Sequence, residues 1–383
     1  MKILASTHNY KYIFFYIILL LLFPLPSFIN DTLTMKLLLL FILAFTVRAI
    51  YKKNINKKLL FPIVLQYSFF FISLAFNMTS ITGYYDFTTE LFRYIIYFVI
   101  INGILFYLKD LPNHKIMSYS QRIIIFVLGI QLFADILYIS PAHEIIDAWF
   151  GQAKLNRKIR LTGTMENPNY VAFLVCSVLG LLFAIRPSLN KYAYYIFLFI
   201  SIILVFLSGS RTGIIVIFLL MLLREIKITL PAIILGSGII YNILSSSPRY
   251  EILVNAGSLQ DMLSLASFSG RYDIVIEALK MIAANPLTGL LETPIEITDN
   301  YFIMYLLRYG IIAFICMLLC VIIYISKSVK NNIERIMSLV PFLITFVIFG
   351  LTGSFFDNFR LFFFFSFFVI LSIKYLNQVK VIS

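Results

Sequence analysis

The sequence predicts an all-α polytopic membrane protein with about twelve transmembrane helices and one large extracytoplasmic loop containing short amphipathic helices. Three observations predict it. Of the 383 residues, 61% are hydrophobic and only 13% charged, and the mean hydropathy of +0.94 lies far outside the range of a soluble domain. Apolar runs recur along the chain, such as 12–29 and 192–207, with lengths close to the ~20 residues a helix needs to cross a hydrocarbon core. Basic residues gather in alternate connectors, as the positive-inside rule requires.

Taken in order, spans are expected at 11–29, 33–51, 59–77, 91–108, 121–141, 167–185, 192–208, 212–226, 228–244, 301–325, 336–353 and 359–376. The first follows Lys2 and Lys11 in the manner of a signal sequence. No small-residue cleavage site follows it and another span does, which predicts an uncleaved anchor. Lys52, Lys53, Lys57 and Lys58 follow the second span, and Lys109, Lys115 and Arg122 flank the connector after the fourth, so both connectors and both termini are expected in the cytoplasm. The same alternation puts Arg186, Lys191, Arg224, Lys227, Lys327, Lys330, Arg335, Lys374 and Lys380 on that side. No linker divides the chain, so residues 1–383 are read as one integral membrane domain, with 245–300 as the large extracytoplasmic loop between spans nine and ten.

The formal net charge of +13 belongs mainly to those cytoplasmic connectors. Membrane lipids are therefore expected partners, and nucleic acid is not. Cys176, Cys316 and Cys320 fall inside apolar spans, His8, His114 and His143 are scattered, and no two Asp residues form a close pair, so neither a metal ion nor another cofactor is expected.

Two outward connectors depart from the charge rule. Residues 142–169 hold Lys154, Arg157, Lys158 and Arg160, and residues 245–300 add Arg249, Arg271 and Lys280. Long loops can escape the rule, or such charges can meet anionic headgroups. The functional reading is a phosphate-bearing ligand on the outer face.

Four stretches on that face carry candidate chemistry. In the first, 160–169 (RLTGTMENPN), backbone amides and the side chains of Asn167 and Asn169 could meet a polar ligand, although Asn-Pro before a span is also a good helix start. The second, 208–213 (SGSRTG), places Arg211 between two apolar spans with hardly any loop. An arginine near the apolar region costs about 3 kcal/mol at the centre of a span and so marks a functional site, unless it snorkels to lipid phosphate. Its Gly and Ser neighbours would let a ligand approach the backbone.

The third is an amphipathic helix expected to start near Arg271, capped by Ser269, with Ile274, Val275, Ala278, Leu279 and Ile282 on one face and Asp273, Glu277 and Lys280 on the other. Asn285-Pro286 stops it, and Leu287 to Gly289 reads as a turn. Arg271 at its start could bind an anion or stand exposed without a partner. Leu259, Met262, Leu263 and Ala266 suggest a second short interfacial helix upstream. The fourth stretch is Asp299-Asn300, followed by Arg308, where Asp299 is either a helix cap or a general base. Asp357 to Arg360 reads as a charge pair capping a Phe-rich span, and Asp135 within the fifth span either pairs with an arginine or marks an ion path.

With these residues, the sequence resembles the O-antigen polymerase and O-antigen ligase superfamily of bacterial envelope enzymes. The resemblance is carried by RLTGTMENPNY at 160–170, FLSGSRTG at 206–213, SGRYDIVIEALKMIAANPLTG at 269–289 and TDNYFIMYLLRYGIIAF at 298–314, in their order and spacing. It covers residues 140 to 325 well and the N-terminal spans by topology only. It implies a glycosyltransferase of the inner membrane whose large loop is periplasmic and whose donor is an undecaprenyl-diphosphate-linked oligosaccharide, with a chain-length regulator protein as a candidate partner. It implies metal-independent, inverting transfer in which Arg160, Arg211 and Arg271 stabilise the leaving diphosphate. Asp299, Arg211 and Arg271 are then the candidate catalytic residues, and Arg160, Glu166, Asn167, Asn169, Tyr272, Asn300 and Arg308 the candidate substrate-binding ones. Ligases of the superfamily usually carry His where this chain has Asp299, which favours a polymerase of O-antigen or capsular polysaccharide. The alternatives are a ligase that moves finished glycan to a lipid or protein acceptor, and a transporter or lipid-linked oligosaccharide flippase, for which twelve spans and Asp135 are equally natural.

Overall fold

The structure is a computed structural model that describes residues 17, 60–76, 84–109, 111–140, 161–165, 167–227, 229, 266–290, 300–329, 332–353 and 358–378. The helices among them are α1 (Leu60–Phe76), α2 (Tyr84–Lys109), α3 (Asn113–Ile139), α4 (Pro168–Ile185), α5 (Lys191–Ser208), α6 (Arg211–Arg224), α7 (Ala266–Ala284), α8 (Tyr301–Ser328), α9 (Ile333–Thr352) and α10 (Phe359–Leu376). There is no strand among the described residues. Asn113–Ile139, Pro168–Ser188, Lys191–Ser208, Tyr301–Ile323 and Ile333–Thr352 are long and apolar enough to cross a membrane. The protein is thus a multi-pass helical membrane protein. The expected spans 11–29, 33–51 and 228–244, apart from Ile17 and Thr229, lie outside the described residues, so the number twelve stays an expectation.

Helix α4 is the axis of the bundle. It contains no charged residue, and everything in it except Asn169 and Tyr170 is buried. Helices α3, α5, α6, α9 and α10 all pack on it. Two glycines allow the closest approaches: a Cβ on Gly180 would stand 2.7 Å from the Phe342 ring of α9, and one on Gly213 of α6 would stand 2.6 Å from the Ala172 Cβ. The surrounding helices are apolar outside as well as inside, with Phe133, Ile136, Phe199, Phe206, Ile315 and Leu319 exposed. A bundle apolar on both surfaces is what lipid requires, since the exterior finds no advantage in polar side chains there.

One end of the bundle, the Glu225 end, is held by paired cations. Arg186 meets Glu225 at 2.6 Å, the Tyr194 hydroxyl donates to the same Glu225 Oε1 at 2.6 Å, and the Arg186 guanidinium lies 5.0 Å from the Tyr194 ring centroid. Arg186 Nη1 also donates to the Arg224 carbonyl at 3.1 Å, and Arg224 Nη2 donates to the carbonyl of Met337 at the start of α9. Arg335 Nη1 reaches Asn377 Oδ1 at 3.1 Å. Lys374 Nζ donates to the carbonyls of Leu108, Lys109 and Leu111, satisfying the open C-terminus of α2.

Helix α9 starts beside Arg224 and ends beside α8, where a Cβ on Gly350 would stand 2.7 Å from the Phe302 ring. The start of α8 therefore lies at the opposite end of the bundle. Aromatic rings bridge α4 to α8 there: Phe173 lies 5.2 Å from Phe349 and 5.7 Å from Phe365, which continues through Phe346 to Phe302.

The structure corrects three local expectations. Helix α7 begins at Ala266, so Ser269 is an interior helical residue rather than a cap. Asp273, Glu277 and Lys280 are exposed and Ala278 is buried, as the pattern predicts, but Leu279 is exposed too. The tenth span is not one continuous helix: α8 is broken at Gly310, with φ 77° and ψ 176°. The 285–290 turn after α7 docks into that break, with Ile311 N donating to Pro286 O at 2.8 Å and Leu290 N donating to Leu307 O. A Cβ on Gly310 would stand 2.1 Å from the Leu287 carbonyl oxygen, and one on Gly289 would stand 2.5 Å from the Arg308 carbonyl carbon, so both backbones touch directly.

Candidate functional site

The end of the bundle opposite Glu225, the Thr164 end, gathers the described parts of the 160–170 and 206–213 motifs and the start of α8. Leu161 N donates to Leu207 O at 2.9 Å, which joins the 161–169 segment to the α5–α6 reversal. That reversal is as short as helix geometry allows. Gly209 ends α5 in the left-handed conformation at φ 57°, and Ser210 caps α6 by accepting from Gly213 N at 3.2 Å. Arg211 is the first residue of α6 and its side chain is exposed. It makes no hydrogen bond or ion pair with the described residues.

Backbone access for a ligand, expected from the Gly and Ser residues, is not what the geometry provides. Ser210 N is taken by Ser208 Oγ, Gly213 N by Ser210 Oγ, and the space over Gly213 is filled by Ala172. The same holds in 161–169. Gly163 N donates to Asp135 Oδ1 at 3.0 Å and Thr164 N to Gln131 Oε1 at 3.0 Å, so those amides point inward. Among their described residues, what these two motifs offer a ligand is side chains, including the exposed Arg211 guanidinium and the half-buried Asn167 and Asn169.

Asn167 caps α4 by accepting from Asn169 N at 2.9 Å, directly before Pro168. Asn300 does the same for α8, accepting from Ile303 N at 3.0 Å. The capping position there belongs to Asn300 and not to Asp299, which stands one residue earlier. Arg308 is half-buried in the last turn before the break in α8, beside the docked 285–290 turn. Arg271 and Tyr272 lie on α7, whose side chains at those positions are outside the described set. Arg160, Glu166 and Asp299 also lie outside the described residues.

The described candidate residues are thus carried by two groups of segments. Leu161 and Leu207 join the 161–169 and 207–213 segments by a backbone hydrogen bond beside α4, and 285–290 and 307–311 are joined by backbone contacts at the break in α8. The aromatic bridge from Phe173 to Phe302 connects the two.

Residues 196–290 match the family model described as O-Antigen ligase. This match supports the O-antigen ligase and polymerase superfamily. No curated protein sequence matches the chain. The superfamily match takes in most of α5, the reversal bearing Arg211, all of α7 with Arg271, and the turn that docks on α8. It therefore spans one half of each group.

Two residues outside the predicted site set, Arg360 and Gln131, stand in the first group. Arg360, expected from the sequence to share a charge pair with Asp357, which lies outside the described residues, is buried. It is 5% exposed and its Nη2 donates to Thr164 O at 2.9 Å, while Asn358 caps α10 by accepting from Arg360 N and Leu361 N. An arginine one residue inside a Phe-rich span was the available signal, by the same reasoning that singled out Arg211. Gln131, fully buried in α3, bonds Thr164 through both its amide atoms. Asp135 bonds the Gly163 amide rather than pairing with an arginine.

Proposed function

We propose that this protein polymerises oligosaccharide repeat units carried on undecaprenyl diphosphate, building an O-antigen or capsular polysaccharide at the outer face of the bacterial cytoplasmic membrane. The observation that carries the reading is the O-antigen ligase match over 196–290, which contains both Arg211 and Arg271. It supports membrane glycan processing of the ligase and polymerase type, and the exposed Arg211 beside an otherwise satisfied turn gives that chemistry a place to neutralise an anion.

In the reaction, an acceptor sugar hydroxyl attacks the anomeric carbon of the donor. The new C–O bond forms as the bond to the lipid diphosphate breaks, with inversion, and the hydroxyl proton passes to a base. Negative charge growing on the departing diphosphate is met by Arg211 and Arg271, with Arg160 completing the set. Asp299 is the base of this proposal, and Asn300 holds the capping position that Asp299 would otherwise fill. The Thr164 end faces outward with the 245–300 loop, and the Glu225 end, where Arg186, Arg224, Arg335 and Lys374 collect, faces the cytoplasm together with both termini.

A second reading, the ligase, is favoured by the description of the matched family itself. Disrupting the gene separates the two. A polymerase loss leaves surface carriers bearing a single repeat unit, whereas bare carriers with accumulated lipid-linked polymer would sink the polymerase in favour of the ligase. Absence of both polymer and capped carriers would point to transport instead. For the base, Asp299→Ala is expected to stop chain growth in vesicles supplied with lipid-linked units, and normal chain length in that variant removes the assignment.

A further inference from the structure

Beneath the proposed donor site lies a buried polar cluster that the reaction as written does not use. Gln131 and Asp135 stand one turn apart on α3 and so share a face. Together with Arg360 of α10 they surround one piece of backbone. Asp135 Oδ1 accepts from Gly163 N at 3.0 Å, Gln131 Oε1 accepts from Thr164 N at 3.0 Å, Gln131 Nε2 donates to Thr164 Oγ1 at 2.7 Å, and Arg360 Nη2 donates to Thr164 O at 2.9 Å. Gln131, Asp135 and Thr164 are each 1% exposed or less. Gly163 has φ 50°, and a Cβ there would stand 2.1 Å from Gln131 Oε1, so the fit admits only glycine.

Such a cluster is an expensive way to fill an apolar bundle, because polar groups buried there are tolerated only when hydrogen-bonded, and apolar side chains would pack the same volume without that demand. What it gives in return is a fixed position for two consecutive residues, reached from two helices far apart in sequence. The held turn leads within three residues to the cap of α4, Asn167.

We propose that Gln131, Asp135 and Arg360 are positioning residues, which fix the Gly163–Thr164 turn and through it the presentation of Asn167 to the donor's diphosphate. The proposal rests on the polymerase reading. In it Asp135 contributes one acceptor atom, Oδ1. Its Oδ2 makes no hydrogen bond with the described residues, so an amide keeps the bond from Gly163 N and forfeits no existing partner, at the cost of burying an NH2 group. This differs from an ion path, in which the carboxyl itself would be required.

The test uses the full-length protein in vesicles with titrated lipid-linked repeat units, together with hydrogen–deuterium exchange of the 161–165 amides. Asp135→Asn is expected to keep wild-type kinetics and slow exchange. Asp135→Leu and Gln131→Met are expected to lower kcat/KM by about 100-fold, mostly through KM, with faster exchange at Gly163 and Thr164. Should Asp135→Leu fail to accumulate, Thr164→Val removes the hydroxyl alone and carries the same prediction at smaller size. Asp135→Asn as inactive as Asp135→Leu overturns the proposal, as does faster exchange in Gln131→Met with unchanged kinetics. A wild type that grows no chain sinks the polymerase reading and this proposal with it, whereas a working wild type with insensitive variants sinks the proposal alone.

Discussion

The two ends of this bundle use cations in opposite ways. At the Glu225 end, Arg186, Arg224, Arg335 and Lys374 each reach a carboxylate, a side-chain amide or a backbone carbonyl on another element, and so tie α2, α4, α6, α9 and α10 together. At the Thr164 end, Arg360 is turned inward onto a carbonyl in the same manner, but Arg211 is exposed and makes no bond with the described residues. Sign and side alone do not separate these roles. What separates them is whether a partner stands among the described residues, and of these six cations Arg211 is the one for which none does.

Four substitutions break or sharpen that contrast, from the largest effect to the smallest. Arg211→Ala is expected to reduce chain growth by about 10²–10³-fold, the size typical of removing one donor to a developing oxyanion, with unchanged thermal unfolding in detergent. A drop in stability instead would make Arg211 a latch like its counterparts at the other end. Gly310→Ala must place a Cβ on the Leu287 carbonyl at a φ that L residues rarely adopt, and is expected to destabilise by about 3 kcal/mol, seen as a lowered unfolding temperature.

Glu225→Ala leaves the buried Tyr194 hydroxyl without its acceptor, but Arg186 is 41% exposed and can turn to water. The expected loss is about 2 kcal/mol of stability, with chain growth per folded molecule unchanged. Chain growth lost at normal stability would end the division of labour between the two ends. Ser210→Ala removes the cap of α6 directly before Arg211, and about 1 kcal/mol of stability is expected to go with it. Because the same residue sets the first turn that carries Arg211, chain growth should fall with it, and measuring both in one variant shows how tightly the turn aims the guanidinium.

Much of the helical layout was legible, for plain physical reasons. Asn167-Pro168, Ser210 and Asn358 stop and start helices with local side-chain bonds, and apolar length does the rest, so the predicted ends of α4, α5 and α10 fall within a residue of those observed. The break in α8 was not legible because its apolar run passes through Gly310 without a proline, and what makes the break is a turn arriving from another segment. The start of α7 was misplaced because a serine inside a helix looks like a serine at its cap.

The candidate site was legible as motifs but not as geometry. Arg211 stood out because an arginine between two apolar runs has few ordinary explanations. Gln131 did not, since a single neutral amide in a span leaves no periodic signal, and its role depends on a turn 33 residues away. Glycines and serines were read as openings for a ligand, whereas Gly163 and Gly213 are sites of close approach by the protein's own side chains.

The burial of α4 also bears on how the protein is made. This helix enters the bilayer early, yet two of the helices that cover it, α9 and α10, are synthesised only after another 150 residues or so, and the bond from Arg360 to Thr164 spans 196 positions. Until α10 emerges, one flank of α4 faces lipid, which it tolerates because it is apolar throughout, and the carbonyl of Thr164 lacks its guanidinium. Insertion and maturation are thereby separated in time: the axis is in place from early on, and the last helix completes its surroundings.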